Sequence, residues 1–301
     1  MKEYCYGLLH GVDEVNRLIA IKTKRKIDYY YLARSMFADF MAYFRPGIYV
    51  FLQIQKSPRI YKRHRVRNVL NIEKIMEPYG QKPKLYYDIS LIKSGISAIL
   101  NTKKPKLFLD FEMSMPPYRN YQNFVSEIIQ IGLVLIDEEE KIIEEFSAFI
   151  KPKLFSKISE RTAKFLSVSQ AEIDAGIAYQ EVHDLLKRIQ RMYRPMVFVW
   201  GKNDELELAK MNRLYELDDF TRKMQFIDLL RLHKTYFGLK NDLGLFNAYK
   251  AYKGVDLTKQ KHDAFQDASV TLAVFSCFKA VTNGLMTFTF ENRESENEQN
   301  N

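Results

Sequence analysis

The sequence predicts a mixed α/β fold for residues 106–290, preceded by a smaller, basic α+β domain in residues 1–105. Two observations support this division. After residue 106, the first apolar strand patterns follow one another as in a meander, and later strand patterns alternate with helical ones. This order is typical of a mixed α/β domain. Residues 1–106 hold 21 basic and 8 acidic residues, a net charge of +13, whereas the rest of the chain carries −4.

The composition limits the possible classes of protein. Of 301 residues, 47% are hydrophobic and 28% are charged, a globular balance. The sequence contains no apolar stretch long enough to cross a bilayer and no secretory signal pattern at its start. Its two cysteines, Cys5 and Cys277, cannot form a disulfide framework or a zinc site, so a reducing cytoplasm is the expected location.

The front domain contains helical and extended patterns. We expect residues 1–45 to be helical, because the segment from residue 29 to 44 has few helix breakers and is apolar nearly all round, as in a buried helix. Residues 45–47 (Arg-Pro-Gly) end that helix. The later segments are a strand at 48–55, a turn at 56–59, a returning strand at 60–72, a loop at 77–84, a helix or strand at 85–100, whose type the pattern does not decide, and a linker at 101–105.

Basic residues recur at every second position of the returning strand. Alternation places Tyr61, Arg63, Arg65 and Arg67 on one face. Such a row could follow the phosphates of a nucleic acid beside an aromatic ring. It could equally be the solvent side of an edge strand, where positive charges prevent aggregation. The charge of the whole segment favours a nucleic-acid partner.

The back domain combines apolar strands with amphipathic helices. We predict a polar turn at 137–141 and a disordered tail at 291–301, which lacks apolar anchors. The predicted strands cover residues 107–109, 127–136, 142–150 and 196–199, and the predicted helices cover 169–176, 179–192, 205–217 and 263–282, with 225–228 leading into a helical stretch through His233.

Two acidic residues end the first of these strands. Asp110 and Glu112 lie two residues apart, so their side chains point to the same face. Two neighbouring carboxylates repel each other unless a cation lies between them, and oxygen ligands suit Mg²⁺ or Mn²⁺. The same spacing recurs at Asp137 and Glu139 in a solvated turn, so this pattern alone does not establish a metal site.

Two further segments carry residues that suit a site at the carboxyl ends of the strands. Asp204 follows a buried strand and precedes a helix, where it could serve a site or act as the N-cap. Asp263 is a good N-cap for the last helix. His262 then lies in the preceding loop and can face Asp267 inside the first turns. Each signal alone also fits a structural role.

Together, the segments LFLDFE, WGKND and HDAFQD resemble the three exonuclease motifs of the DEDDh superfamily. The resemblance covers roughly residues 106–285 and is greatest to the KapD sporulation-inhibitor type and the related RNA-trimming exonucleases. It implies an RNase H-like fold and a metal-dependent 3′-to-5′ exonuclease. By the same resemblance, two divalent cations, Mg²⁺ or Mn²⁺, are held by four acids, Asp110, Glu112, Asp204 and Asp267, and His262 is the general base.

The resemblance also suggests a substrate. It implies that nucleoside 5′-monophosphates are released from single-stranded ends, with RNA favoured over DNA, and that Phe111, Met113 and Ser114 contact the terminal nucleotide. Two alternatives stay open: a DNA exonuclease of the proofreading or repair type, and a non-catalytic nucleic-acid-binding protein. For the RNA-preferring exonuclease that the resemblance implies, we expect the basic front domain to raise the local concentration of substrate or to guide the strand.

Overall fold

The computed structural model describes residues 2–22, 26–79, 82–119, 123–239, 241–257, 262–288 and 290. It divides into two compact units, Met1–Gly95 and Ile96–Asn301, so the predicted boundary after residue 105 falls within the second unit. The predicted tail at 291–301 lies outside the described residues. No helix in the described part of the chain is long and apolar enough to cross a membrane.

The first unit is built mainly of strands. One short helix, α1, interrupts them and continues into a single 3₁₀ turn, and a second helix, α2, begins after the last strand and contains the boundary between the two units. The strands are β1 (Lys2–Asp13), β2 (Leu18–Lys22), β3 (Ile27–Tyr31), β4 (Tyr49–Gln55), β5 (Arg59–Tyr61), β6 (His64–Glu77) and β7 (Lys84–Asp88), and the helical segments are α1 (Arg34–Phe40), the 3₁₀ turn (Met41–Tyr43) and α2 (Ile89–Leu100).

Five of these strands close into a barrel. β1 pairs with β2 and with β4, β2 pairs with β3, and β4 pairs with β6, all antiparallel. The ring closes because β3 runs parallel to β6, with Tyr29 opposite Val66 and Tyr31 opposite Asn68. A five-stranded Greek-key barrel with a helix between its third and fourth strands is the architecture of the OB fold. Apolar side chains from every strand of the ring fill its interior.

The helical prediction for residues 1–45 is wrong over most of its length. Residues 2–13, 18–22 and 27–31 are strands, and only Arg34–Phe40 forms an α-helix. Within that helix Phe37 is the buried residue, so the expected all-round burial is wrong too. Pairing with β2 and β6 decides the conformation of Tyr29–Tyr31, because aromatic side chains suit a pleated, half-buried surface.

The later predictions for this unit fare better. The strand at 48–55 is confirmed as β4. The returning segment is a hairpin, β5 and β6, whose turn contains Lys62 and Arg63 with positive φ angles of 45° and 67°. The segment at 85–100, for which the sequence did not distinguish helix from strand, divides into β7 and α2.

The second unit has five strands and seven helices among its described residues after α2. The strands are β8 (Lys106–Met113), β9 (Ile128–Ile136), β10 (Ile142–Phe149), β11 (Met196–Val199) and β12 (Gln225–Asp228). The helices are α3 (Glu160–Leu166), α4 (Gln170–Asp174), α5 (Tyr179–Tyr193), α6 (Asn203–Leu214), α7 (Leu229–Phe237), α8 (Leu245–Lys253) and α9 (Ala264–Thr282).

These strands form one mixed sheet in the order β10-β9-β8-β11-β12. β9 is antiparallel to both β8 and β10, whereas β11 runs parallel to both β8 and β12. Apolar residues of β8, β9 and β11 pack with those of α5 and α6 in one core. The parallel pairing of β8 with β11 places the carboxyl ends of both strands at the same edge of the sheet, which positions the acids described next.

Candidate active site

The end of β8 supplies two carboxylates to one edge of the sheet. Asp110 and Glu112 are two residues apart on this strand, so both side chains point to the same face. Asp110 lies opposite Gly132 of β9, and Glu112 lies opposite Gln130. The surrounding residues of β8 are buried, and Glu112 itself is only 9% exposed.

Asp204 joins these acids from the first turn of α6. The position before this helix is held by Lys202, so the N-cap alternative for Asp204 is wrong. The Oδ1 atom of Asp204 instead accepts a hydrogen bond of 3.0 Å from the backbone N–H of Phe111. Phe111 lies between the two β8 acids, so this bond fixes the third carboxylate beside them.

The amino end of α9 is fastened to β9 directly opposite Glu112. Asp263 caps the helix by accepting from the N–H of Gln266 at 2.9 Å, as predicted. Its other carboxylate oxygen accepts from the Gln130 Nε2 atom at 2.7 Å. This arrangement places His262 just before the helix and Asp267 one turn inside it, and the two side chains approach each other.

Gly132 allows α9 to rest on the backbone of β9. A Cβ atom built on this glycine would lie 2.1 Å from the backbone carbon of Ala264 and from the backbone nitrogen of Phe265. Only a residue without a side chain fits such a contact. The contacts of Gln130 and Gly132 were not predicted from the sequence, although a polar residue and a glycine inside an apolar strand are signals for such contacts.

Glu112, His262 and Asp267 converge on one point. One potential ligand atom from each lies within 4.8 Å of the others, and the Nδ1 atom of His262 is 3.9 Å from the Glu112 Oε1 atom. The Oδ1 atom of Asp267 is buried and has no hydrogen-bond partner among the described residues. A buried carboxylate oxygen without a partner is unfavourable unless a cation binds there.

The pKa values of the four acids are raised above their ordinary values, which disfavours ionisation. Burial, and next the charge of Asp267, raise the pKa of Glu112 to about 8. Burial, helped by nearby carboxylates, raises the pKa of Asp267 to about 7, and burial raises that of Asp204 to about 7. The pKa of Asp110 is also raised, chiefly by burial and then by Asp204. A divalent cation would reverse these preferences, since it stabilises the charged carboxylates.

His262 is held by an aromatic ring. Its imidazole stacks on Phe165 of α3 with ring centroids 4.1 Å apart and planes inclined by 16°. α3 is tied to the segment after β8, because the backbone N–H of Met115 donates to the Thr162 Oγ1 atom at 2.8 Å. Burial lowers the pKa of His262, so its neutral form predominates at pH 7.

The three residues expected to contact a nucleotide occupy different surroundings. The Phe111 ring is 3% exposed and belongs to the core, so its side chain is not placed for such a contact. Ser114 is also buried, and its Oγ atom accepts from the backbone N–H of Glu127 at 2.9 Å. Met113 is half-buried at the end of β8, next to the acids.

The basic row expected in the first unit is only partly regular. Arg63 lies in the turn of the β5–β6 hairpin, so it is not in strand alternation with Arg65 and Arg67. The structure nevertheless brings the three arginines together, because all of them line one cavity of about 390 Å³.

The sequence matches the family model of the exonucleases (RNase_T) over residues 107–275. The probable 3′-5′ exonuclease KapD of Bacillus subtilis (strain 168) is 31% identical over 181 residues, which cover 60% of this chain and 85% of KapD. The match to the family model includes the segments that carry the four acids.

Solved structures share the fold of the second unit. The nuclease domain of 3′hExo, a DEDDh family member solved bound to rAMP, has a TM-score of 0.52 and 17% identity, covering 63% of this chain and 97% of that one. A 3′-exonuclease solved in 3′-end recognition of a histone mRNA stem-loop has a TM-score of 0.51 and 16% identity, covering 60% of this chain and 65% of that one. The chain therefore belongs to the exonuclease family, as a 3′-5′ exonuclease with a DEDDh-type, RNase H-like domain.

Proposed function

We propose that Asp110, Glu112, Asp204 and Asp267 hold two divalent cations, Mg²⁺ or Mn²⁺, and that His262 is the general base for hydrolysis of the terminal phosphodiester. The Oδ1 atom of Asp267 carries this proposal, since it is buried, has no hydrogen-bond partner among the described residues, and lies among three other acids whose pKa values are also raised. Four carboxylates so arranged need an external positive charge to ionise together at neutral pH.

The chemistry of the ligands suits hard cations. The four side chains offer oxygen atoms only, which favours Mg²⁺ or Mn²⁺ over softer metals. When bound, such cations supply positive charge to the phosphodiester and lower the pKa of a coordinated water. The chain's own task is to fix the carboxylates, and β8, α6 and α9 do this through the Asp204–Phe111 and Gln130–Asp263 hydrogen bonds.

His262 is suited to accept the proton of the attacking water. Its lowered pKa keeps the imidazole neutral near pH 7, and stacking on Phe165 restricts its orientation. Attack forms a bond between the water oxygen and the terminal phosphorus and breaks the bond to the 3′ oxygen. The products are a nucleoside 5′-monophosphate and a strand shortened by one nucleotide, with a new 3′-hydroxyl.

For the substrate, we propose single-stranded ends, with RNA preferred over DNA. Two proteins of the same fold were solved with rAMP or with a histone mRNA stem-loop, which makes RNA the first substrate to test. Met113 remains the candidate for contact with the terminal nucleotide, because it is partly accessible and adjoins the acids. A DNA exonuclease of the proofreading or repair type is the alternative.

The test is digestion of 5′-labelled RNA and DNA oligomers of one sequence with Mg²⁺ or Mn²⁺. We expect a ladder from the 3′ end and faster loss of the RNA, since the 2′-OH is the group that distinguishes the two. His262→Ala should lower kcat by about 10²–10⁴-fold, the usual contribution of a general base. Asp110→Ala should abolish the ladder.

Glu139→Gln is the matched control for Asp110→Ala. Glu139 belongs to the second Asp-x-Glu pattern, is exposed, and lies in the turn where Asp137 accepts from the backbone N–H groups of residues 139 and 141. It should therefore retain full activity. Equal rates on RNA and DNA would contradict the proposed preference. An intact ladder from Asp110→Ala would overturn the proposed site.

A further inference from the structure

The chain's excess of positive over negative charge lies in the first unit. Residues 1–95 hold 18 basic and 8 acidic residues, a net charge of +10. The catalytic set uses no residue of this unit. The barrel therefore carries a charged surface that the exonuclease chemistry does not explain.

A cavity of about 390 Å³ concentrates this charge where β3 meets β6. Its lining includes Lys26, Arg63, Arg65 and Arg67, against one acid, Asp28. Such a cavity is large enough to admit a phosphate group with its ribose or base, and its cations favour an anion.

Among the residues that the structure describes, two of these arginines have no partner for their side chains. Asp28 lies 3.0 Å from the Nζ atom of Lys26, and Arg67 lies 3.4 Å from Glu3. Among the described residues, Arg63 and Arg65 make no ion pair or side-chain hydrogen bond. Guanidinium groups in this state are available for phosphate oxygens, which they can bind with two parallel hydrogen bonds.

Two aromatic rings, Tyr29 and His64, line the same cavity as Arg63 and Arg65. Tyr30 points into the barrel core at 3% exposure, so Tyr29 and Tyr31 point outward by strand alternation. Tyr29 packs against His64 with centroids 4.3 Å apart, and Tyr31 packs against Tyr61 at 4.9 Å. These four side chains, Tyr29, Tyr31, Tyr61 and His64, form what we call the aromatic row.

Further arginines frame the aromatic row. Arg59 lies 4.7 Å from the centroid of Tyr31 and 5.1 Å from that of Tyr61. Arg17, in the loop between β1 and β2, donates to the Tyr31 hydroxyl at 2.9 Å. Rings alternating with cations are what successive bases and phosphates of an unpaired strand require, because every base has a face that can stack.

We propose that this surface binds single-stranded nucleic acid, with phosphates against Arg63 and Arg65 and bases against the aromatic row. The OB architecture alone would not assign a function, so the argument rests on these side chains. The choice of nucleic acid over other polyanions rests on the proposed function of the second unit. A double helix would fit less well, because its bases are already stacked and paired.

The experiment measures binding of a labelled 20-nucleotide strand to the full chain. Every protein in it carries Asp110→Asn, and a chelator is added, so that the strand is not degraded. Arg63→Gln with Arg65→Gln should weaken binding by roughly tenfold and lower the slope against salt by about 1.4, or 0.7 per lost phosphate contact. The charge-matched control, Arg34→Gln with Lys84→Gln, removes the same charge outside the cavity and should leave both quantities near wild type.

Tyr61→Leu separates stacking from charge. It should weaken binding of the strand at least about fivefold without altering the salt slope, since stacking contributes about 1–3 kcal/mol per base. Binding of an abasic strand should be the same for Tyr61→Leu and for its parent. Thermal unfolding of each variant checks that it folds.

Three outcomes would overturn the proposal. They are equal weakening by the control pair, no effect of Tyr61→Leu, and competition by polyglutamate or anionic vesicles as effective as that by the unlabelled strand. Hydrolysis of a nitrophenyl ester of a nucleoside 5′-monophosphate by the wild-type chain with Mn²⁺ reports on the second unit separately. If the ester is not hydrolysed but the strand is still bound, the catalytic proposal is contradicted and the binding proposal is not.

Discussion

At the scale of single residues, Asp267 shows how the second unit is prepared for a cation. Its Oδ1 atom is buried and has no hydrogen-bond partner in the part of the chain that the structure describes, and its pKa is raised to about 7, chiefly by burial. The pKa of Glu112 is raised further, to about 8. Without metal, the folded protein therefore prefers these groups protonated, and the same groups ionise near their ordinary pKa when the chain unfolds.

The sign of the pH dependence follows from these shifts. A raised pKa in the folded state contributes stability that is complete below the unfolded pKa, near 4, and is lost as the pH rises through about 7 to 8. We expect the midpoint of thermal unfolding in chelator to fall between pH 5 and pH 8.5. Mg²⁺ or Mn²⁺ should raise that midpoint more at pH 8.5 than at pH 6.

Asp267→Asn is the control for this titration. It removes one buried acid, so its midpoint should fall less steeply with pH and respond little to added metal. Identical pH profiles for the variant and the wild type would show that this carboxylate does not control the stability of the metal-free protein.

We expect Phe165 to position His262, because the two rings stack. Phe165→Ala removes the stacked ring, so we expect kcat to fall severalfold with KM nearly unchanged. Exposing the imidazole should also return its lowered pKa toward the ordinary value, which moves the acidic limb of the kcat profile to higher pH. Phe165→Tyr, which retains the ring, should restore both. A purely structural role would lower activity without moving that limb.

At the scale of secondary-structure elements, the contact between α9 and β9 is the critical one. Gly132→Ala would place a methyl group within 2.1 Å of the backbone of Ala264 and Phe265, and backbone atoms cannot swing aside as a flexible side chain can. We expect a loss of about 1–3 kcal/mol in the free energy of unfolding. Activity and stabilisation by metal should also be lost, because the amino end of α9 carries His262 and Asp267.

Gly95→Ala is the matched control. Gly95 lies inside α2, and an added Cβ would have no atom within 4 Å, so alanine should leave activity unchanged and stabilise the helix by up to about 1 kcal/mol. Metal binding and turnover by Gly132→Ala at wild-type levels would show that α9 can shift without disturbing the site.

At the scale of the whole molecule, each unit has its own hydrophobic core. One core fills the barrel of the first unit, and the other lies between the sheet and helices of the second. We therefore expect two transitions in calorimetric unfolding of the full chain, because separate cores need not melt together.

Ligands should distinguish these two transitions. Mn²⁺ in the absence of oligonucleotide should raise only one of them, by mass action on the folded second unit. Asp267→Asn should lose that response and leave the other transition in place. A single transition that shifts as a whole with metal would contradict independent unfolding.

The sequence alone determined the features that depend on local pattern and on the identity of a few residues. Strand β4, the meander of the second unit and the capped start of α9 follow from periodicity and capping chemistry over short stretches. The three short acidic segments were sufficient to predict the family and the exonuclease activity, since these residues occur together in a fixed order.

Only the tertiary structure decided features that depend on contacts between distant segments. Tyr29–Tyr31 form a strand because β6 pairs with them to close the barrel, although their aromatic run resembles a buried helix. Asp204 lies beside the acids of β8 and does not cap α6, because Phe111, far away in the chain, donates its N–H to the Asp204 carboxylate. Local propensities differ by less than about 1 kcal/mol per residue for most residue types, so long-range pairing and burial override them.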